Sequence, residues 1–329
     1  MIVEPFDPHT APESDFDAHY RLRAATVATD APQFPVPARA SADSLLRNQP
    51  SWPGRHQFWV AREEGELVGL SWLAELQDPN DGLAAICVNV HPAHRGRGVG
   101  SALLAPPVRS AGPVGRPRLL TPCVNQAGPG PAWAERRGFR RVSLHHVQLL
   151  EFAGPPEPTT PAAGYRLEAW TGDAPDELLD SYAHARQAIE DAPFHQMSYR
   201  PPRWTGRQVR DQEAACRDAG LAHLVVAAVH EASGQVVGHT VVNVRAGVAT
   251  AQQDDTAVLA AHRGHGLGMA MKTAMLARIA AGYPEVERVH TANASDNAAM
   301  LRINRELGFQ TRAVHLNFEA DADAVALGG

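Results

Sequence analysis

The heptapeptide HRGRGVG at residues 94–100 returns as HRGHGLG at residues 262–268, and the fold turns on why one chain contains it twice. Each copy follows a run of β-branched residues and precedes a helical pattern, with glycines at 96, 98 and 100 or at 264, 266 and 268. A loop of this kind turns several backbone N–H groups inward, and the helix start adds roughly half a positive charge. Glycine is needed where a Cβ would hold an anion away from the backbone. A ligand-free glycine turn could carry the same residues, so one copy alone does not decide. The spacing excludes a dinucleotide fingerprint, which needs G-x-G-x-x-G, and neither copy has the G-K-[ST] of a P-loop.

Working outward, the landmarks repeat in order. Arg95 and Arg263 are 263 − 95 = 168 positions apart; GELVG from Gly65 returns as GQVVG from Gly234 (234 − 65 = 169); RRGF with Gly138 returns as ELGF with Gly308 (308 − 138 = 170). Three features at nearly constant offset mean an internal duplication with a whole domain as its period. The proline-rich GPPEPTTPAAG reads as a linker at 154–164. It divides a first domain at 1–153 from a second at 165–318, leaving an acidic tail at 319–329 expected to fray.

Within the first copy QFWVARE, GELVGLSWLAEL and LAAICVNV read as strands; in the second, HLVVAAVHE, QVVGHTVVNV and ATAQQDDTAV take their places. LGMAMKTAMLARIAA then reads as a long helix, whereas VGSALLAPPV is expected to stop at Pro106 and Pro107.

Bulk properties narrow the function. A chain of 329 residues exceeds one ordinary core, and 44% apolar with 20% charged residues describes a globular protein. A net charge of −6 argues against nucleic acid as a partner. Lys272 is the only lysine. Cys87, Cys123 and Cys216 are scattered, so neither a disulfide framework nor a metal site is expected, and the pair His145 and His146 would face opposite ways on a strand. The acidic, proline-broken N-terminus is no signal peptide, and no apolar run approaches the roughly 18 residues that span a membrane. A cytoplasmic protein with no membrane partner is the expectation.

Val90-His91-Pro92-Ala93-His94-Arg95-Gly96-Arg97-Gly98-Val99-Gly100 resembles the acetyl-CoA pyrophosphate loop of the GNAT acetyltransferases. Val258 through Gly268 resembles it too, with Arg263, Gly266 and Gly268 at the key places and Ala260 in place of proline. TANASDNAAMLRINRELGF resembles that family's following motif, while NQAGPGPAWAERRGF is a proline- and glycine-disrupted version of it. Tandem pairs of such domains resemble proteins of actinomycete secondary metabolism. The resemblance implies an α/β fold of the α+β type: two GNAT-like domains, each a mixed, mostly antiparallel sheet flanked by helices. It also implies acetyl-CoA, one per domain, and a small-molecule amine as acceptor, in a monomer or weak homodimer. By the same resemblance the coenzyme would be held by Val88, Val90, Arg95, Gly96, Arg97, Gly98, Val99, Gly100 and Ser101 in the first copy. In the second it would be held by Thr256, Val258, Arg263, Gly264, His265, Gly266, Leu267, Gly268 and Met269, with Asn293, Asn297 and Asn304 beyond the loop.

The reaction so implied is direct attack of an amine on a thioester, which needs a route for the ammonium proton and donors for the oxyanion. Counting back by twos from Val258 puts Thr256, Asp254 and Gln252 on one face, with Gln252 where many relatives carry glutamate. Aspartates are depleted from strands, so Asp254-Asp255 is either a bulge or strand end with solvated carboxylates, or Asp254 is a base or substrate clamp. Asp254 and Gln252 are the catalytic candidates. The matching first-copy face reads Val88, Ile86 and Ala84, all apolar, so the first domain is expected to bind coenzyme with weak or no catalysis and the second to be active. Asn304 and Ala134 stand where relatives often place an acidic tyrosine. A thiol with a pKa near about 8.5 leaves without much help.

The acceptor pocket is expected in SYAHARQAIEDAPFHQMSYRPPRWTG, where Glu190 and Asp191 could attract an ammonium group or could simply end a helix. Tyr199 or Trp204 could wall it, and His184 and His195 read as structural histidines. Besides acetyl transfer, two readings stay open: a longer acyl donor, and a non-catalytic acyl-CoA-binding protein.

Overall fold

The computed structural model describes residues 1–47, 54–152, 154–191 and 196–328. The first repeat runs β1 (Ile2–Phe6), α1 (Glu13–Asp30), α2 (Arg39–Arg47), β2 (His56–Glu63), β3 (Glu66–Glu75), β4 (Leu83–Val90), α3 (Val99–Ala111), β5 (Arg118–Asn125), α4 (Gly130–Arg136) and β6 (Arg140–Glu151). The second runs β7 (Tyr165–Thr171), α5 (Asp176–Arg186), α6 (Gly206–Asp218), β8 (Leu221–His230), β9 (Gln235–Arg245), β10 (Thr250–Val258), α7 (Leu267–Gly282), β11 (Arg288–Ala294), α8 (Ala298–Glu306) and β12 (Gln310–Asp321). The six strands expected from the duplicated pattern are all present, because their β-branched and aromatic residues are buried on sheets covered on both sides. Among the described residues no helix is long and apolar enough to cross a membrane.

Two compact units result: Met1–His145 with Phe194–Arg200 and Ala313–Gly329, and His146–Pro193 with Pro201–Arg312. The first unit's strands lie in the order β1-β2-β3-β4-β5-β12, the second's in the order β6-β11-β10-β9-β8-β7. In the first unit α1 and α2 cover one face around Phe16, Leu22 and Leu46, and α3 covers the other around Leu103 and Leu104. In the second, α5 and α6 cover one face around Tyr182 and Val209, and α7 covers the other around Met271 and Met275.

Three expectations are altered. The division of the chain does not follow the repeat: β12, from the end of the second repeat, pairs antiparallel with β5 from Leu316↔Val124 to Asp321↔Arg118. The end of the first repeat lies beside β11 in turn, with the Phe152 N–H donating to the Glu287 carbonyl at 2.7 Å. Residues 319–328 are therefore no frayed tail; Glu319 is 1% and Val325 7% exposed. Finally, α3 continues through Pro106 and Pro107 to Ala111. A helix-interior proline costs about 3 kcal/mol. Burying Leu103, Leu104 and Val108 against the sheet is worth roughly 1.5–3 kcal/mol each and offsets it.

Candidate functional site

In both units a parallel strand pair opens where the site begins. β4 pairs with β5 only from Leu83↔Arg118 to Ala85↔Leu120, and β10 with β11 only from Thr250↔Arg288 to Gln252↔His290. Beyond that point Val88 and Val90, or Thr256 and Val258, no longer pair with the parallel neighbour. A short 3-10 turn follows each strand, Pro92–His94 or Ala260–His262, then the arginine. Arg95 and Arg263 share nearly one conformation, φ −71 and ψ 159 against φ −74 and ψ 161. Gly98 and Gly266 adopt left-handed φ of 83 and 69, and Gly96 and Gly264 φ of 72 and 82, with nothing within 4 Å of where a Cβ would stand. From Gly264 to Met269 no backbone N–H finds an acceptor among the described residues; the first that does is Ala270, to Gly266. Open space over unpaired N–H groups at a helix start fits the diphosphate of a coenzyme A donor.

The loop arginines face inward. Arg95 Nε donates to the Val90 carbonyl at 3.2 Å and Arg263 Nε to the Val258 carbonyl at 2.9 Å, so each ties the loop to its strand. Asp30 grips the Arg95 guanidinium through two bonds of 2.7 and 2.6 Å, and Asp191 pairs with Arg263 through a single bond. Asp191, expected at the acceptor, is thus a partner of the loop. Glu190 beside it is exposed, on a 3-10 turn that packs against β10. Val99 and Leu267, 1% and 2% exposed, put their side chains into the core, leaving only their N–H groups for a ligand. Arg97 pairs with Glu63 at 3.1 Å, Ser101 accepts from Arg137, and His265 is exposed with its ring 5.3 Å from Tyr165. Gly100 and Gly268 lie under Trp133 and Ile303, and Met269 is half-buried.

The three asparagines divide. Asn293 and Asn304 both donate to Gln148 Oε1, at 3.3 and 2.8 Å; Asn304 is 0% exposed, so it cannot touch a coenzyme as placed here. Asn297 caps α8, its Oδ1 accepting from the Met300 N–H at 3.2 Å, and keeps its amide nitrogen for other use.

The units differ at one residue of strand length. From the last parallel pair to the pair with the glycine of the preceding strand, β4 takes 90 − 85 = 5 steps and β10 takes 258 − 252 = 6. The extra residue is a bulge between Gln253 and Thr256, and a bulge leaves one residue out of the ladder. It also breaks the alternation that placed Thr256 and Asp254 on one face. Thr256 Oγ1 meets Thr240 Oγ1 at 2.7 Å beside Gln253, whose side chain meets Lys272 of α7 at 3.2 Å. Asp254 and Asp255 instead both turn toward α5 and α6. In β4 the residue at that step is Cys87, not Ile86; burial pushes its thiol up to about 11, so the first unit offers no proton acceptor there near neutral pH.

The two aspartates have different surroundings. Asp255 meets Arg186 at 3.2 Å, whose guanidinium lies over the Trp204 ring at 3.4 Å. Asp254 accepts from Asn243 Nδ2 and from the Gln252 side chain. The Asp254 side chain is exposed at the bulge, with protein crowding its carboxyl. Desolvation there, then the charge of Asp255, push its carboxyl up to about 7 against the pull of Arg186 and these hydrogen bonds. Gln252 holds His290 Nδ1 at 2.6 Å and so serves the carboxylate and β11 together.

On the α1 and α2 face of the first unit, Met197 packs into the core, its sulfur 3.2 Å from Ser143 Oγ. Ser198 binds Glu319 through N–H and Oγ at 2.6 and 2.7 Å, and Arg200 exchanges two hydrogen bonds with Asn80. Tyr199 goes with this segment into the first unit and does not wall the second unit's site. His184 is exposed; His195 lies outside the described residues. Sequence reasoning missed Arg186, Asn243, His223 and the buried Lys272. Lys272 stood out as the only lysine, but its burial did not; nothing local marks the other three, since each acts across a strand or helix distant in the chain.

Comparison with known proteins agrees with both loops. The profile described as "Acetyltransferase (GNAT) domain" matches residues 54–141, and that of the "Acetyltransferase (GNAT) family" matches residues 187–309. A mycothiol acetyltransferase of Mycobacterium sp. (strain MCS) is 28% identical over 85% of this chain and 88% of its own. One of Stackebrandtia nassauensis is 37% identical over 29% of this chain and 33% of its own, so that alignment spans about a third of the relative. Among solved structures, a tandem GNAT protein from the clavulanic acid biosynthesis pathway is 30% identical, with 98% of each chain covered and a TM-score of 0.78. A GCN5-related N-acetyltransferase of Sphaerobacter thermophilus, 19% identical over 98% of this chain and 95% of its own at a TM-score of 0.73, shares the fold.

Proposed function

The chain belongs to the GNAT acetyltransferase family, and from that premise we propose that its second unit moves an acetyl group from acetyl-CoA to a small-molecule amine, with Asp254 as the base. The observation that carries this is the environment of Asp254: a solvent-reaching carboxyl pushed up to about 7, in a bulge beside the anion loop. A base works best with a pKa near the working pH.

Bound acetyl-CoA supplies a thioester carbon open to attack. The N–H groups of Gly264 to Met269 would hold its diphosphate, and the edge at Thr256 and Val258 would orient its arm. Asp254 takes the proton of the incoming ammonium. Glu190 and the 3-10 turn against β10 border the acceptor side. The names of the mycothiol acetyltransferase relatives support an acceptor of small-molecule type.

The first unit keeps the loop but has Cys87 in place of the aspartates, no bulge in β4, and Met197 packed over its acceptor face. These favour a unit that binds coenzyme without turnover. Acceptor-dependent release of free CoA tests the assignment. Asp254→Asn should lower turnover by roughly tenfold or more, while Cys87→Ala should leave it unchanged. Wild-type turnover in Asp254→Asn would remove Asp254 from the mechanism.

A further inference from the structure

We propose that His223 and Asn243 are positioning residues, a buried histidine and a half-buried asparagine that fix which end of the Asn243 amide faces Asp254 and so keep one carboxylate oxygen bonded while the other meets the substrate proton. The inference rests on Asp254 being the base.

An asparagine between two polar groups can present either its oxygen or its nitrogen to each. Here the choice is made on β8. His223 is 3% exposed, and burial holds its ring below the ordinary histidine range, so it is neutral with one N–H to give. Its Nδ1 lies 2.8 Å from Asn243 Oδ1, and Cys216 Sγ of α6 lies 4.0 Å from the same oxygen. With Nδ1–H donating to that oxygen, the amide nitrogen must point the other way, and it bonds Asp254 Oδ2. The opposite tautomer would turn the amide oxygen onto the carboxylate and repel it. With Oδ2 held by Asn243, Oδ1, beside the Gln252 side chain, is the oxygen that takes the ammonium proton and returns it to solvent.

The first unit supplies an internal contrast. Its cross-strand row His56–Ala74–Ala85 matches His223–Asn243–Gln252 position for position. The histidine is kept, the asparagine is Ala74, and the aspartates are Cys87. The middle and end of the row are absent together from the unit without a base.

Asp254 is also faced by Asp255 on its own strand, by Arg186 of α5 and, across the row, by Cys216 of α6. Asp255 and Arg186 are left unchanged throughout the test, and Cys216 is changed only in its own control variant. The pH dependence of acceptor-driven CoA release and the carboxyl ¹³C titration of Asp254, assigned with Asp254→Asn, are measured in Asn243→Ala, His223→Leu, the double variant and Cys216→Ala. Loss of the amide donor should move the titration and the rate profile up by roughly half a unit, about threefold in rate at pH 6. His223→Leu should move both the same way by less, the double variant no further than Asn243→Ala, and Cys216→Ala not at all. An unmoved titration in folded Asn243→Ala and His223→Leu, or strictly additive shifts, overturns the proposal. If Asp254→Asn retains full turnover, the base assignment fails, but the carboxyl titration still decides on the pair.

Discussion

At the residue scale, Asp254 combines an activity signature with a stability signature. The base form accumulates as pH rises through about 7, so turnover should rise through that range and level off above it. The same shift costs stability. Between the usual carboxyl range and about 7 the folded state binds a proton that the unfolded state has lost, so stability falls as pH rises across that window. Asp254→Asn removes the penalty. Thermal unfolding should show the variant more stable than wild type at pH 8 and equal to it at pH 4; a variant less stable at pH 8 would contradict the raised carboxyl. The pair Asp254-Asp255 was conspicuous in the sequence because strands disfavour aspartate. Which of the two was paired could not be read there, since Arg186 lies 69 positions from Asp255 along the chain.

The element scale is set by loops and one bulge. The conformation of both glycine loops was legible because glycines at alternate positions before a helix have few uses, and the backbone angles of the two copies agree closely. The bulge was not legible: counting by twos assumes an unbroken ladder, and a bulge appears only in pairing with the partner strand. Pro106 and Pro107 misled for the opposite reason, a local rule outweighed by burial. If each loop cradles a coenzyme, calorimetric titration with acetyl-CoA should find two sites. Gly96→Asp with Gly98→Asp should leave one, because aspartate tolerates the left-handed backbone while its charge repels the diphosphate; two sites persisting would remove the first loop from coenzyme binding. The corresponding changes at Gly264 and Gly266 should abolish turnover.

For the whole molecule, each compact unit contains a strand from the other repeat's stretch of chain. A fragment of residues 1–153 lacks β12, which pairs with β5 over Arg118–Asn125, as well as Glu319 and the Met197 segment. It would expose an unpaired strand edge, which invites association. Circular dichroism of that fragment should show loss of cooperative unfolding or aggregation; a stable monomer would contradict the division into units. The sequence by itself determined the duplication, three strands of each copy, the two glycine loops and the family resemblance, because all of these are written in local periodicity and spacing. Tertiary structure decided where the units divide, which aspartate is ion-paired and which accepts from Asn243, and that Asp191 holds an arginine. Those outcomes depend on groups brought together across strands and helices far apart in the chain, where desolvation and pairing act and local pattern carries no information.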